Sequence, residues 1–346
     1  MAAKKDPSGP GKVTLADVAA LAGVSPATAS KALNGRDQVR AETRLKVIEA
    51  AERLRFSPNP FAQALMSRRT GTIGMLTSDL DNRFVLPVLL GAEDAFGAGS
   101  TSVLLSDSRG DVIREQHHLR VLQAKRVDGI LVVGRTTNPR PPIVADTSVP
   151  VVYVYAPSEN PLDASFTPDN HLAGRMAIEH LLSRGRRRIA LINGDPSYSA
   201  ARDRAAGAAE AMAAAGTKLV GGAALYGRWS EAWGRHGAEA LLEVNQPLDA
   251  ILCGSDQIAR GVIDILRDTG RRIPHDVAVM GFDNWDILSE ESRPPLTSID
   301  MNLQDLGRAA ARALVEAIDG QAEQGVTFGP VRLIPRESTG SVEVAS

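Results

Sequence analysis

The sequence predicts an α/β protein in which a small three-helix head precedes a larger body made of two doubly wound parallel sheets. Two observations lead to this prediction. Residues 13–54 contain three short helical patterns separated by cap residues, whereas from residue 72 onward short apolar runs alternate with helical segments. Apolar runs without polar alternation are typical of parallel strands that are covered on both faces. Two successive arrays of them predict two lobes with a cleft between them.

The first two helices are predicted from cap residues in the stretch VTLADVAALAGVSPATASKAL. Thr14 stands three residues before Asp17, which is the spacing of a capping box. Gly23 tolerates positive φ where the first helix ends, and Ser25 can cap a second helix that opens with Pro26. The seam between the two helices is expected to consist of Val18, Ala19, Ala22, Val24, Ala29 and Leu33.

The second helix has a small polar outer face, which consists of Ala27, Thr28, Ser30, Lys31 and Asn34. A helix-turn-helix presents its recognition helix to the DNA major groove in this way; any tight helical hairpin is the alternative. Charge favours the first interpretation, because residues 12–70 hold ten Lys and Arg against five Asp and Glu, while the whole chain has a net charge of −2. A basic head on an acidic body suits a protein whose head alone meets phosphate.

Two further segments follow in the head. AETRLKVIEAAERL predicts a third helix. Its predicted buried face consists of Leu45, Ile48, Ala51 and Leu54. The next segment, FSPNPFAQALMSRRTG, predicts a helix of two turns, which is too short to be stable alone. Its Leu65 suggests an apolar wedge for the DNA minor groove; the alternative is an ordinary linker whose leucine packs on the body.

The body is predicted from alternating strands and helices. Strands are expected at 72–78, 102–107, 129–134, 149–155, 188–194, 250–255 and 277–283. Helices are expected at 86–96, 115–123, 172–183, 201–214, 232–243 and 257–269. Crossovers and a closing helix are expected at 296–300, 303–318 and 331–336. In such sheets, ligands bind at the carboxyl ends of the strands.

Composition narrows the class of protein. A charged fraction of 23% and a hydrophobic fraction of 43% are those of a soluble globular chain. The single cysteine, Cys253, excludes an internal disulfide framework and is expected to be inert packing. No apolar run approaches the roughly 18 residues of a membrane span and no signal peptide is evident, so we expect a cytoplasmic protein. Motifs for a phosphate cradle, a zinc site or a nucleophile are absent, and nothing predicts an enzyme, a metal or a cofactor.

Polar and aromatic side chains follow several of the predicted strands. They are Ser78, Asp79, Asn82, Phe84, Asp195, Arg204, Trp229, Ser255, Asp256, Asp283 and Asn284. Asp, Asn and Arg bind the vicinal hydroxyls of a sugar well, and aromatic faces stack on its ring, so this set predicts a sugar site. The alternatives are that Asp and Asn are ordinary turn residues and that the tryptophans belong to the core.

These stretches resemble the LacI/GalR family of bacterial transcription regulators from residue 13 to about 340. The most specific marks are VTLADVAALAGVSPATASKALNG and VRAETRLKVIEAAERLRFSPNPFAQAL. The match continues through KRVDGILVVG, PDNHLAGRMAIEHLLSRGRRRIALING, RDRAAGAAEAM, CGSDQIARGVIDILRDTGRRIPHDVAVMGFDN and PPLTSID. The resemblance implies a periplasmic-binding-protein-like body, a small-molecule effector and a homodimer on a palindromic operator of double-stranded DNA.

Pattern and resemblance together predict the domain organisation. The segments are a disordered tail (1–11), a helix-turn-helix DNA-binding domain (12–57), a hinge helix or linker (58–70), an N-terminal lobe (71–170 and 301–326) and a C-terminal lobe (171–300 and 327–340).

The resemblance also implies roles for head residues. Those at base-reading positions are Pro26, Ala27 and Lys31. Those at positions that mainly hold phosphates are Thr14, Ser25, Thr28, Ser30 and Asn34. Leu65 matches the hinge leucine that enters the central minor-groove step. Met66 stands where purine-type members carry lysine, so that a charge contact to the minor groove is missing.

Nine body residues match the effector-contacting positions of the family. They are Ser78, Asp79, Asn82, Phe84, Asp169, Arg204, Trp229, Ser255 and Asp283. Two departures concern the ligand: in NRFV, Val85 replaces the second aromatic residue of the family's NPFF, and Pro87 interrupts the first helix pattern. The missing aromatic residue argues against a base held between two rings.

The function that these features predict is that of a repressor, released or modulated by a small molecule bound between the lobes, with a sugar favoured as that effector. An effector-independent or corepressor-dependent DNA-binding regulator is the alternative. A solute-binding protein that does not bind DNA is disfavoured by the basic head.

Overall fold

The computed structural model describes residues 13–33, 39–56, 69–81, 83–97, 101–143, 149–244 and 246–340. The chain divides into two compact units, Met1–Thr70 and Gly71–Ser346. We refer to them as the head and the body.

The head has three described helices, α1 (Leu15–Ala22), α2 (Pro26–Leu33) and α3 (Ala41–Arg53). The predicted capping box is present: the Asp17 N–H donates to Thr14 Oγ1 at 3.4 Å, and the Thr14 N–H donates to Asp17 Oδ2 at 2.8 Å. Gly23 ends α1 at a φ of 67°, a left-handed conformation that glycine adopts without strain. Ser25 Oγ accepts the Thr28 N–H at 3.1 Å, so α2 begins as predicted.

The core of the head confirms the predicted seam and, on α3, confirms Ala51 and Leu54 but not Leu45 and Ile48. Val18, Ala19 and Ala29 are buried, and the other seam residues pack against them. On α3, however, Leu45 is 60% exposed and Ile48 is 37% exposed. The buried side chains there are Val47, Ala50, Ala51 and, in part, Leu54. The helix carries two overlapping apolar stripes, and the stripe with the small alanines is the one that faces α1 and α2.

The body contains twelve strands within the described residues. They are β1 (Thr72–Thr77), β2 (Ser102–Asp107), β3 (Gly129–Val133), β4 (Val151–Val154), β5 (Ala164–Pro168), β6 (Ile189–Asn193), β7 (Leu225–Tyr226), β8 (Ala250–Cys253), β9 (Ala278–Phe282), β10 (Thr297–Asp300), β11 (Gly325–Gly329) and β12 (Arg332–Ile334). They form two six-stranded sheets with the orders β11-β5-β4-β3-β1-β2 and β12-β10-β9-β8-β6-β7. All neighbours run parallel except β10 and β12.

Helices lie between these strands, and all but the short helix at Asp286–Ser289, which the sequence does not predict, have bounds close to the predicted ones. They are α4 (Val85–Phe96), α5 (Val112–Ala124), α6 (Asn170–Ser183), α7 (Ser199–Ala214), α8 (Glu231–Glu243), α9 (Asp256–Asp268), α10 (Asp286–Ser289) and α11 (Leu303–Ile318), followed by a 3₁₀ turn (Glu337–Thr339). Pro87 does not interrupt α4: it lies in the first turn, where a missing N–H leaves no helical hydrogen bond unmade.

The chain passes between the two lobes three times. It leaves the first sheet after β5, returns with α11, which packs on the first sheet, and leaves again after β11. Pairing of β11 with β5 extends the first lobe to Gly329, whereas the sequence placed the change of lobe after residue 326.

The sequence does not predict three of the strands, and it predicts the wrong degree of burial for a fourth, β2. β5 and β11 interrupt their apolar residues with polar residues, Pro or Gly, and β7 has only two residues, so none of the three contains an apolar run. β2 was expected to be covered on both faces, but it is the edge of the first sheet and its Leu104 and Leu105 are exposed.

The apolar cores lie on both faces of each sheet. Cys253 is fully buried in β8, and this burial raises the pKa of its thiol well above the ordinary value. Among the residues that the structure describes, none of the helices combines the length and the apolar character needed to cross a membrane.

Candidate functional site

The outer face of the helix pair in the head is accessible. Thr14, Ser25, Pro26, Ala27 and Lys31 are exposed, and Thr28 and Ser30 are half-buried. The hydroxyls of Ser25 and Thr28 lie 2.9 Å apart. Asn34, Leu65 and Met66, which were also predicted to contact DNA, lie outside the described residues.

The body encloses a cavity of about 140 Å³ between the carboxyl ends of strands from both sheets. Its lining consists of Asp79, Arg83, Phe84, Arg135, Thr136, Thr137, Tyr155, Tyr198, Ala200, Arg204, Trp229, Gln257 and Asp283. The position agrees with the rule that open α/β sheets bind ligands beyond the carboxyl ends of their strands. This volume is below the roughly 300–1,000 Å³ of sites for drug-sized ligands. A cavity of this size suits a ligand with a single small ring.

Five of the nine predicted effector residues line this cavity: Asp79, Phe84, Arg204, Trp229 and Asp283. Ser78 does not line it. Asp169 and Ser255 do not line it either, because each caps a helix: Asp169 Oδ1 accepts the Leu172 N–H at 2.8 Å, and Ser255 Oγ accepts the Ile258 N–H at 3.3 Å. Asn82 lies outside the described residues.

Arg204 is the most buried charged group of the cavity, with 2% of the residue exposed. Its Nε donates to Asn170 Oδ1 at 2.8 Å and its Nη1 to the Gly254 carbonyl at 2.5 Å. Its Nη2 lies 3.7 Å from Asp283 Oδ1, and its guanidinium stacks 4.5 Å above the Phe282 ring. Arg204 therefore ties three parts of the second lobe together as well as facing the cavity.

Arg83 connects the two lobes. It follows β1 in the first lobe, and its Nη2 pairs with Asp283 Oδ2, which follows β9 in the second lobe. The guanidinium lies between the rings of Phe84, at 4.6 Å, and Trp285, at 4.9 Å. Two aromatic faces and one carboxylate thus hold a cation across the cleft.

A second connection between the lobes comes from Asn138, in the loop after β3. Its Nδ2 donates to the Ser197 carbonyl at 2.9 Å, and its Oδ1 accepts the Ser199 N–H at 2.6 Å and the Ser199 hydroxyl at 2.9 Å. Both connections close the cleft on the residues that line the cavity, so a change in the angle between the lobes must break or rebuild them.

Aromatic rings form two walls of the cavity. Phe84 and Tyr155 lie with ring centroids 5.1 Å apart, and Tyr198 meets Trp229 edge-on at 5.8 Å. The Trp229 indole lies flat against Gly194, where an added Cβ would come within 2.2 Å of the ring. Only glycine allows this close approach, and the sequence supplies it directly after β6.

A fully buried carboxyl supports the loop that carries Asp283. Asp256 Oδ2 accepts the Trp285 N–H at 2.8 Å, and its Oδ1 accepts the Ser298 hydroxyl at 2.7 Å. These bonds hold the loop where Asp283 and Asn284 adopt φ values of 97° and 50°. Burial and the neighbouring Asp283 raise the pKa of Asp256 to about 8.

Sequence reasoning missed several lining residues that follow strands. Arg135, Thr136 and Thr137 come after β3, and Tyr155 comes directly after β4. Applying the strand-end criterion to every strand would have found them. Arg83 belongs to the NRFV motif that the sequence analysis considered. Its role in the cavity depends on contacts with Trp285 and Asp283, which are distant from it in sequence.

The lining of this cavity suits a hydroxylated ligand. Carboxylate, guanidinium and hydroxyl groups alternate with aromatic faces, as expected of a site for a hydroxylated ring.

Comparisons with known proteins agree with both parts of the structure. Residues 14–59 match the family of bacterial regulatory proteins called lacI, and residues 178–339 match the periplasmic binding protein-like domain. The HTH-type transcriptional regulator CelR of Thermobifida fusca is 34% identical over 329 residues, which cover 93% of this chain and 95% of the relative. Catabolite control protein A of Priestia megaterium is 32% identical, with 94% and 99% covered.

Solved structures give the same result. The Lac repressor dimer bound to operator and the anti-inducer ONPF has a TM-score of 0.72 at 29% identity, covering 95% of this chain and 99% of that one. The complex of the regulator CelR with cellobiose has a TM-score of 0.66 at 31% identity, covering 94% and 99%. CelR and the similar RegA of Clostridium saccharobutylicum are both named as HTH-type transcriptional regulators, and none of these relatives is named as an enzyme. The chain therefore belongs to the LacI family of bacterial transcriptional regulators.

Proposed function

We propose that this regulator is a repressor that binds a palindromic operator as a homodimer and releases it when a sugar enters the cavity of the body. The observation that carries the proposal is the cavity itself. It lies between the two lobes, its walls are polar and aromatic, and it is spanned by the contact between Arg83 and Asp283. The solved complex of the regulator CelR with cellobiose supports a sugar as the effector.

In the head, the proposed base-reading residues are Pro26, Ala27 and Lys31. The proposed phosphate contacts are Thr14, Ser25, Thr28, Ser30 and Asn34. Because Pro26 and Ala27 are short, direct reading depends on Lys31, Thr28 and apolar contact with thymine methyl groups. We assign the rest of the specificity to residues 58–70 as a hinge, with Leu65 entering a deformable central step beside Met66.

In the body, we propose that Asp283 and Arg204 hold sugar hydroxyls, with Asp79 at the opposite wall. The rings of Phe84 and Trp229 would stack on the sugar. Asp169 and Ser255 would support the site through the helices they cap. Ser78 directly precedes Asp79 in the sequence, and Asn82 is proposed from its family position alone.

Exposed apolar surface on the first lobe supports the homodimer. Leu86 and Leu90 of α4 are 59% and 46% exposed, and the edge strand β2 exposes Leu104 and Leu105. Exposed apolar patches of this kind mark interaction surfaces. The solved Lac repressor, to which this chain is similar, is a dimer on its operator.

The proposed mechanism is a coupling between the cleft and the head. A sugar that binds among Arg83, Arg204 and Asp283 favours one angle between the lobes, and the paired hinges dock on DNA at only one such angle. Coupling free energies of this type are typically about 1–3 kcal/mol. Effector and operator then weaken each other's binding by the same factor.

The test is DNA binding by the full-length protein to fragments that it selects from genomic DNA, followed by fluorescence anisotropy. Affinity should fall steeply with salt, because phosphate contacts release counterions. Lys31→Ala should lower affinity, whereas Lys46→Ala on α3, whose lysine is exposed and paired with Glu42 at 2.8 Å, should not. Equal losses for both variants would count against the proposed recognition face.

Leu65→Ala tests the hinge. We expect a lower affinity for the selected DNA and an unchanged affinity for the effector, since the leucine is assigned to the central minor-groove step. Operator affinity equal to that of the wild type would remove the wedge from the proposal.

A further inference from the structure

The charges around the cavity are unequal. Among the described lining residues there are three guanidinium groups, on Arg83, Arg135 and Arg204, and two carboxylates, on Asp79 and Asp283. A site designed for a neutral ligand is expected to balance its own charges, because unpaired charge in a partly desolvated cavity is costly.

The excess positive charge lies on the two arginines that face Asp283. This one carboxylate serves two guanidinium groups: Oδ2 pairs with Arg83, and Oδ1 lies 3.7 Å from Arg204 Nη2. Arg135 has its own partner, since its Nε lies 3.3 Å from Asp79 Oδ2. The pair of arginines around Asp283 therefore lacks one counter-charge within the cavity.

Asp256 does not supply the missing charge. It is fully buried behind Asp283, and both of its oxygens accept hydrogen bonds within the second lobe. Burial and the neighbouring Asp283 raise the pKa of its carboxyl, which disfavours a negative charge on it.

Unpaired polar atoms at the cavity point to the same kind of ligand. Arg83 Nε, Thr137 Oγ1 and Trp229 Nε1 are buried and have no hydrogen-bond partner among the described residues. Two of these are N–H donors and the third is a hydroxyl that can donate. Thr137 is itself 6% exposed. Buried donors without partners are rare in folded proteins, so we expect these atoms to donate hydrogen bonds to oxygen atoms of the ligand.

We propose that the effector is an acidic sugar, in which a carboxylate on a hydroxylated ring takes the open donor edge of the Arg83 guanidinium. The inference rests on the function proposed above and names the chemical class of its effector. Arg83 is suited to this role because Phe84 and Trp285 hold its guanidinium flat, so that little side-chain entropy is lost when an anion binds. The hydroxyls of the ring would meet Asp79, Asp283 and Thr137.

The experiment compares pairs of sugars that differ only at C6, where the acid carries a carboxylate and the neutral sugar a hydroxymethyl group. Binding of D-glucuronate against D-glucose, and of D-galacturonate against D-galactose, is measured on the full-length protein by thermal shift and calorimetry, with D-glucose 6-phosphate as a further anion. We expect at least one acid to bind tenfold or more tightly than its neutral partner. Arg83→Gln should remove this preference, Arg83→Lys should keep part of it, and Arg114→Gln, an exposed arginine on α5, should leave it intact.

The outcomes separate the two proposals. A neutral sugar that binds as tightly as its acid, with an affinity that Arg83→Gln leaves unchanged, would overturn the acidic class while supporting a sugar effector. Binding of the phosphate without the carboxylates would overturn the choice of a carboxylate. Failure of every sugar and every acid to bind would overturn both this inference and the sugar effector of the proposed function, while selection of specific DNA would still support the regulator.

Discussion

Replacement of Arg204 by methionine should destabilise the body strongly. The side chain is nearly fully buried, and its two shortest hydrogen bonds go to Asn170 Oδ1 and to the Gly254 carbonyl. Hydrogen bonds from a charged group contribute about 1.5–3 kcal/mol each. Since methionine keeps most of the bulk but leaves both acceptors unpaired, we expect a loss of about 3–5 kcal/mol in the free energy of unfolding.

Thermal unfolding followed by circular dichroism measures this effect. For a domain of this size, 1 kcal/mol corresponds to about 2–4 °C, so the transition of the body should fall by about 10 °C. The matched control is Arg202→Met on the same helix, which removes an exposed arginine and should change the free energy by less than about 1 kcal/mol. Equal and small changes in both variants would refute the structural role of Arg204.

Three further predictions concern stability and the cavity. Burial lowers the pKa of His180 to about 4, so the folded state keeps it neutral while the unfolded state takes up a proton below about 6.5. The contribution of this group to the free energy of unfolding is fully present above pH 6.5, and up to about 3 kcal/mol of it is lost as the pH falls from there through 4. His180→Gln should flatten this part of the pH profile, which denaturant titrations measure. Gly194→Ala should displace the Trp229 indole, lowering effector affinity by up to about tenfold and changing tryptophan fluorescence, since loss of an aromatic contact of up to about 1.5 kcal/mol corresponds to that factor. Thr14→Ala should cost the head about 1 kcal/mol through loss of its helix cap, measured by denaturation followed by circular dichroism.

Each of these has a contradicting result. Identical pH profiles of wild type and His180→Gln would mean that the histidine is not the linked group. Wild-type effector affinity in Gly194→Ala would mean that the cavity tolerates a moved indole. An unchanged unfolding transition in Thr14→Ala would mean that Asp17 or water replaces the cap.

The architecture was predictable because its signals are local. Cap residues such as Thr14, Gly23 and Ser25 specify the ends of the first helices, and apolar runs specify the buried strands. The face of α3 was not predictable in the same way, because two apolar stripes overlap and only packing against the other helices selects the one with Val47.

The cavity was predictable in part. The strand-end rule and the family positions indicated Asp283 and Arg204, and both line it. The same rule also selected Ser255, whose hydroxyl caps a helix, because a polar residue after a strand can serve either purpose. Arg83 and Asp283 are 200 positions apart in the sequence, so no local sequence pattern predicts their contact.

In the proposed mechanism, ligand binding in the cavity controls the affinity of the head for DNA. The direct measurement is the dissociation constant of the full-length protein for its selected DNA, by fluorescence anisotropy at one salt concentration, with and without a sugar or sugar acid that stabilises the protein thermally. A coupling of about 1–3 kcal/mol predicts a 5–150-fold weaker affinity for DNA when the ligand is bound. An affinity that stays the same when the cavity is saturated would contradict the account.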